Sequence, residues 1–131
     1  MVKNLFMLQA LVDVLFGIPL VLATSTILSL YGLKTDTTGT YLGQFLGGTF
    51  IALAWISWSA RSWPDDAARR VLVRAGFVAS AIGLVVSVIF QLGPSSNAST
   101  WVFVALTAIF AAGWGYYSYA AMRPMTMQQP A

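Results

Sequence analysis

The chain has 131 residues, of which 58% are apolar and 8% are charged, against about 45–50% and about 25% in ordinary soluble domains. A soluble domain of this length could not bury so much apolar surface, so the composition predicts a membrane protein. The net charge of +3 comes from basic residues beside apolar segments, which argues against nucleic acid as a partner. Histidine and cysteine are absent, which excludes disulfides, histidine or thiolate metal ligands and Ser-His or Cys-His hydrolytic pairs.

Four apolar segments predict four membrane-spanning helices. They cover about residues 5–30, 42–60, 64–92 and 101–122, and about 20 apolar residues suffice to cross a hydrocarbon core of about 30 Å. Glycine, proline and short polar residues separate the segments. Because the loops are short, the expected fold is an all-α, antiparallel four-helix bundle with up-down-up-down topology, forming a single domain over residues 1–131.

The first helix carries a carboxylate in its apolar stretch, at Asp13. A charge near the middle of a membrane helix costs about 2.5–3.5 kcal/mol, so an acidic residue there is a functional hypothesis. Gln9 and Gly17 lie one turn to either side on the same face, and this polar stripe is expected to face protein. Arg74 enters the membrane at a similar depth, which predicts an Asp13–Arg74 ion pair, with Arg61 as the alternative partner.

Two interpretations of Asp13 are open from the sequence. An ion pair could merely fix the register of two helices, or the carboxylate could form a proton or cation site that opens to a cavity. Pro19 removes a backbone hydrogen bond from the same helix and can kink it. Such a kink could open a small pocket near Asp13 or only improve the packing.

The second helix carries a G-x-x-x-G pattern with an additional glycine, formed by Gly43, Gly47 and Gly48. Small residues at this spacing let two helices approach closely. These glycines are expected to form either an internal seam of the bundle or an interface with another subunit. The third and fourth helices repeat the small-residue pattern at Gly76, Ser80, Gly83 and Ser87, and at Ala108, Ala111, Ala112 and Gly115.

Aromatic side chains are concentrated near one end of the second and fourth helices. Trp55, Trp58, Trp114 and Tyr117 could hold a lipophilic ligand such as a quinone, a pigment or a lipid tail. The alternative is that they form a lipid-facing belt and pack the core.

The distribution of basic residues predicts the orientation of the chain. Ser62-Trp63-Pro64-Asp65 reads as a helix start outside the membrane, so the third helix is expected to begin at about residue 64 in the cytoplasm. Cytoplasmic loops carry an excess of Lys and Arg. Both termini are therefore expected on the cytoplasmic side of an inner (plasma) membrane. The basic residues on that side are Lys3, Arg61, Arg69, Arg70, Arg74 and Arg123, against Lys34 on the other.

The first half of the chain resembles small four-helix membrane proteins of the DoxX-like group. The resemblance is carried by the runs VDVLFGIP at residues 12–19, SLYGL at 29–33 and YLGQFLGG at 41–48. It implies a four-helix bundle without a defined activity. Small multidrug transporters also have four helices and an early acidic residue, but the spacing from Asp13 to Gly17 differs from theirs, and the third helix lacks their Trp-x-Gly pattern.

Three classes of function are compatible with these features. The expected function is that of a non-catalytic accessory or scaffolding subunit, packed in a larger membrane complex or a homo-oligomer. The alternative is a binder or carrier of a lipophilic small molecule or cation that uses Asp13. An enzyme is the least favoured class, because the chain has no histidine, cysteine or glutamate. The expected partners are membrane lipids and other subunits or copies of the chain, with no cofactor.

Overall fold

The computed structural model describes residues 2–65, 67–94 and 97–120, and this part of the chain is helical without strands. The all-α prediction with four helices is confirmed. The helices are α1 (Val2–Leu30), α2 (Thr37–Ala60), α3 (Ala67–Gln91) and α4 (Trp101–Ala120), the last preceded by a 3-10 turn at Ala98–Thr100.

Three helix starts differ from the sequence prediction, and the first is that of α1, which begins at Val2 rather than at residue 5. The Asp36 carboxylate accepts a hydrogen bond from the Gly39 backbone N–H at 2.7 Å, so α2 begins at Thr37 rather than at residue 42. The third helix was expected from residue 64 but begins at Ala67, because the Ser62 hydroxyl donates to a carbonyl at the end of α2 instead of capping α3. The predicted end of the fourth helix, at residue 122, lies outside the described residues.

The first helix contains a kink at Ala23, whose backbone angles (φ −145°, ψ 47°) are not helical. The sequence predicted a kink at Pro19, and the observed kink lies one turn further along the helix. The neighbouring Thr24 hydroxyl donates a hydrogen bond to the Leu20 carbonyl. Such hydrogen bonds from Thr to the carbonyl four residues earlier often bend helices, and this contact accompanies the change of direction.

α1 and α2 form a closely packed first helix pair. A Cβ atom placed on Gly47 would lie 2.8 Å from the Gly17 carbonyl oxygen, and one on Gly43 would clash with the Thr24 methyl group. Glycine at these positions therefore allows the two backbones to approach each other. Gly43 and Gly47 form an internal seam, which is the first of the two alternatives that the sequence left open.

α3 and α4 form the second helix pair, and here glycines accommodate large or branched side chains. A Cβ atom on Gly76 would lie 3.0 Å from the Trp114 indole, and one on Gly83 would lie 3.2 Å from the Thr107 methyl group. Val73 is the one residue of α3 that is buried. The other residues of this helix are exposed or partly exposed.

The two helix pairs meet mainly between α1 and α4, through aromatic rings. The centroids of Phe6 and Trp114 are 4.8 Å apart, and those of Phe16 and Phe103 are 5.4 Å apart. α1 contributes the largest buried stripe of the four helices. Its members follow each other at spacings of three and four residues, and they are Phe6, Ala10, Asp13, Gly17, Leu20 and Thr24.

Three helical segments of the described chain are long and apolar enough to cross a membrane: Val2–Leu30, Ala67–Gln91 and Ala98–Ala120. α2, with 24 residues, has a comparable length. Its glycines, threonines and Gln44 lower its hydropathy, which explains why it falls outside this group although the sequence predicted a crossing there.

We predict that the change Gly47→Ala destabilises the protein, whereas Gly48→Ala does not. The new methyl group at residue 47 would meet backbone and Leu20 at 2.9 Å or closer, but nothing lies within 4 Å of a Cβ atom at residue 48. At residue 47, overpacking costs about 1–3 kcal/mol. At residue 48, where there is no overpacking, the higher helix propensity of Ala favours the variant by up to about 1 kcal/mol. Thermal unfolding in a mild detergent measures both variants, and equal melting temperatures would contradict the close α1–α2 approach.

Candidate functional site

The Asp13 carboxylate lies inside the protein, near the middle of the buried stripe of α1. Asp13 is 3% exposed, and its Oδ1 atom accepts a hydrogen bond of 2.8 Å from the Gln9 side-chain amide. Its Oδ2 atom is buried and has no hydrogen-bond partner among the described residues. Buried polar atoms normally have partners, and a buried acceptor without one is costly.

Trp114 of α4 connects this carboxylate to the second helix pair. The Trp114 indole N–H donates to the Gln9 amide oxygen, with 3.4 Å between the two heavy atoms. The amide N–H of Gln9 is thereby directed at Asp13. The indole is 2% exposed and is held between the Phe6 ring and Gly76. Gln9 and Asp13 therefore have positions fixed by packing from three helices.

Two cavities lie on either side of Asp13, between the helix pairs. The first, which we call the Trp114 cavity, has a volume of about 200 Å³. The second, the Phe103 cavity, has a volume of about 280 Å³. Both are lined mainly by apolar groups. The residues that border both cavities are Gln9, Asp13, Leu53, Ala79 and Ser80.

Both cavities open to the outside between α2 and α3. Leu53 of α2 and Ala79 of α3 line both cavities and are exposed, and Ile56, which lines the Trp114 cavity, is 41% exposed. These side chains form the rim of the opening. A small molecule that approaches this exposed side could therefore reach the neighbourhood of Asp13 without unfolding a helix.

The predicted ion pair of Asp13 with Arg74 is wrong, and so is the alternative with Arg61. All three residues are described, and none of them forms an ion pair with another of the three. Arg74 is exposed because its neighbour Val73 occupies the inward position of α3. The Arg61 guanidinium lies 3.6 Å from the centroid of the Trp58 ring and donates to the Trp58 carbonyl.

The aromatic residues selected from the sequence lie in different places. Trp114 lines the site, whereas Trp55 and Trp58 are exposed and line a separate apolar cavity of about 340 Å³ between α1 and α2. Tyr117 packs against the buried cluster around Phe6 and Trp114. It also lines a separate cavity near Arg70.

The glycines of α2 also separate into two groups. Gly43 and Gly47 are buried against α1, while Gly48 is exposed and has free space around it. Of the three glycines, Gly48 alone does not contact another helix in the described part of the chain.

The sequence did not single out Leu53, Ala79 or Ser80 as site residues. Ser80 was recognised only as a member of the small-residue pattern on α3. The signal that could have found it is its place in this pattern between Gly76 and Gly83, which line one cavity each. Small side chains on α3 leave the space that the two cavities occupy.

The chemistry of this site suits one positive charge in apolar surroundings. No group of three His, Cys, Asp or Glu residues that could hold a metal ion occurs in the described ranges. One carboxylate with a single amide partner offers one negative charge, and the cavity walls offer apolar contact.

Comparisons of this chain with family models, with curated proteins and with solved structures give no match. Membership of the DoxX-like group stays a prediction from the sequence. The functional argument therefore rests on the geometry of the site.

We predict that Gln9→Leu lowers the stability of the protein and that adding Asp13→Leu restores the part that comes from the Gln9–Asp13 hydrogen bond. The Trp114 N–H loses its Gln9 acceptor in both variants, so that part of the loss remains. The first change removes the hydrogen bond to Asp13 Oδ1, and a buried acceptor without a partner costs about 1–3 kcal/mol. Replacing both partners by apolar groups of similar size can be nearly neutral. A double-mutant cycle of unfolding free energies in detergent measures the coupling, and strictly additive effects would contradict the hydrogen bond.

Proposed function

We propose that the protein is a membrane-embedded binding protein that holds a lipophilic cation between its two helix pairs, with Asp13 as the charge partner. The observation that carries this proposal is the buried Asp13 Oδ2 atom, which has no partner among the described residues and belongs to a residue lining two apolar cavities. The binding is non-catalytic. This is the second of the functional classes that the sequence left open.

The energetics of the site favour a cationic ligand over a neutral one. An unpaired carboxylate in an apolar environment is unfavourable, and an opposite charge that also donates a hydrogen bond offsets this cost. A hydrogen bond to a charged group contributes about 1.5–3 kcal/mol. The apolar part of the ligand contributes about 25 cal/mol per Å² of surface that it buries.

The membrane arrangement that we propose has four crossings with up-down-up-down topology and both termini in the cytoplasm. α2 packs along α1 through Gly43 and Gly47. This contact supports a crossing by α2 as well, because it holds α2 beside a helix that is long and apolar enough to cross the membrane. The excess of arginine between α2 and α3 supports the orientation. An inner (plasma) membrane is the proposed location.

A second proposal is that of an accessory or scaffolding subunit in a larger membrane complex or homo-oligomer. It is favoured by Gly48, which leaves free space on the exposed side of α2. A neighbouring helix could approach there as closely as α1 does at Gly43 and Gly47. The two proposals are compatible, because the Gly48 surface and the Asp13 site lie on different sides of α2.

We predict that Asp13→Asn weakens the binding of octylammonium about 10- to 100-fold and leaves the binding of 1-octanol unchanged. The range follows from the loss of one charged hydrogen bond, about 1.5–3 kcal/mol. Equilibrium dialysis of the purified protein in lipid nanodiscs measures both ligands, with empty nanodiscs as the blank.

The matched control for this experiment is Asp36→Asn, which makes the same chemical change at the start of α2. Asn also caps helices well, so this variant should bind like the wild type. Equal octylammonium affinity of the wild type and Asp13→Asn would refute the role of the carboxylate. If the protein in that case also co-purifies from native membranes with a fixed partner, the subunit proposal is favoured.

A further inference from the structure

We propose that the preferred ligand is a secondary ammonium ion whose charge lies between two apolar arms, rather than an amine at the end of one chain. This inference rests on the proposed function, since it concerns the same site. It specifies the chemical class of the ligand and how the ligand lies in the protein.

The first argument is the position of Asp13 relative to the two cavities. In a site for a terminally charged amphiphile, the carboxylate would stand at the closed end of one pocket. Here Asp13 borders both the Trp114 cavity and the Phe103 cavity, together with Gln9 and Ser80. The charged group of a ligand at Asp13 therefore has apolar space on two sides.

The second argument is the size of the two cavities. An apolar cavity of about 150 Å³ is large enough to hold benzene, and the two cavities measure about 200 and 280 Å³. Each can therefore take an apolar group of about six carbon atoms. A ligand with one chain would fill one cavity and leave the other without apolar contacts.

The third argument is the number of hydrogen-bond acceptors where the cavities meet. The polar side chains that border both cavities are Gln9, Asp13 and Ser80. Asp13 Oδ1 and the Gln9 amide oxygen each accept a hydrogen bond already, which leaves Asp13 Oδ2 and the Ser80 hydroxyl oxygen as the two of these oxygens that accept none in the described part of the chain. A secondary ammonium has two N–H donors and matches this pair, whereas a primary ammonium has three.

The test compares dihexylammonium with dodecylammonium, which have the same molecular formula but carry the charge in the middle and at the end, respectively. Binding to the unmodified protein in lipid nanodiscs is measured by equilibrium dialysis, and each ligand is corrected for its partition into empty nanodiscs. We expect dihexylammonium to bind at least about tenfold more tightly, which corresponds to about 1.4 kcal/mol. We expect both to bind more weakly to Asp13→Asn.

Cavity-filling variants locate the two arms. Ala75→Phe fills the Trp114 cavity and Leu106→Trp fills the Phe103 cavity, and each should weaken dihexylammonium binding several-fold. The matched control is Ala52→Phe, which adds the same bulk at an exposed position of α2 outside both cavities. It should leave the affinity unchanged.

The outcomes separate this inference from the proposed function. If the two isomers bind equally well and both depend on Asp13, the two-armed ligand is refuted and the cation-binding function stands. If neither isomer depends on Asp13, the proposed function itself is refuted. Because the isomer comparison uses the unmodified protein, it does not depend on the folding of any variant.

Discussion

The hydrogen bond from Gln9 to Asp13 lies at the point where the two helix pairs come together. A carboxylate in apolar surroundings is costly unless protein groups pair with it, and α1 turns this side toward the other helices. The buried stripe of α1, from Phe6 to Thr24, follows from that constraint. The Trp114 indole then fixes the Gln9 amide from the opposite pair, and this contact sets the relative position of α1 and α4.

The space around Asp13 results from two different kinds of helix contact. Within the first pair, glycines bring the backbones of α1 and α2 together. Between the pairs, α1 and α4 meet through aromatic rings such as those of Phe16 and Phe103, which hold the backbones further apart. Close contact inside each pair and wider spacing between the pairs leave room on the side of α2 and α3. The small side chains of α3 enlarge that room.

Most of the helical architecture could be predicted from the sequence, because runs of apolar residues and turn residues are local signals. The starts of α2 and α3 differed, since they depend on which polar side chain caps which backbone group, as with Asp36 and Ser62. The sequence correctly predicted that Asp13 faces protein, because a carboxylate exposed to apolar surroundings is energetically costly. Its partner was predicted wrongly, since an ion pair with Arg74 depends on the rotation of α3 about its own axis. A pocket near Asp13 was one of the alternatives that the sequence left open. The number and lining of the cavities could not be predicted, because they arise from the spacing of helices that are distant in the chain.

The central claim, that a cation occupies the space beside Asp13, can be tested most directly at Ser80. The chain has no cysteine, so Ser80→Cys creates a unique thiol on a residue that borders both cavities. The measurement is the rate at which a membrane-permeant maleimide labels this thiol in nanodiscs, with and without octylammonium. The account predicts that octylammonium slows the labelling when Asp13 is present and does not slow it in the Asp13→Asn background. Labelling at the same rate with and without octylammonium in the presence of Asp13 would contradict the account.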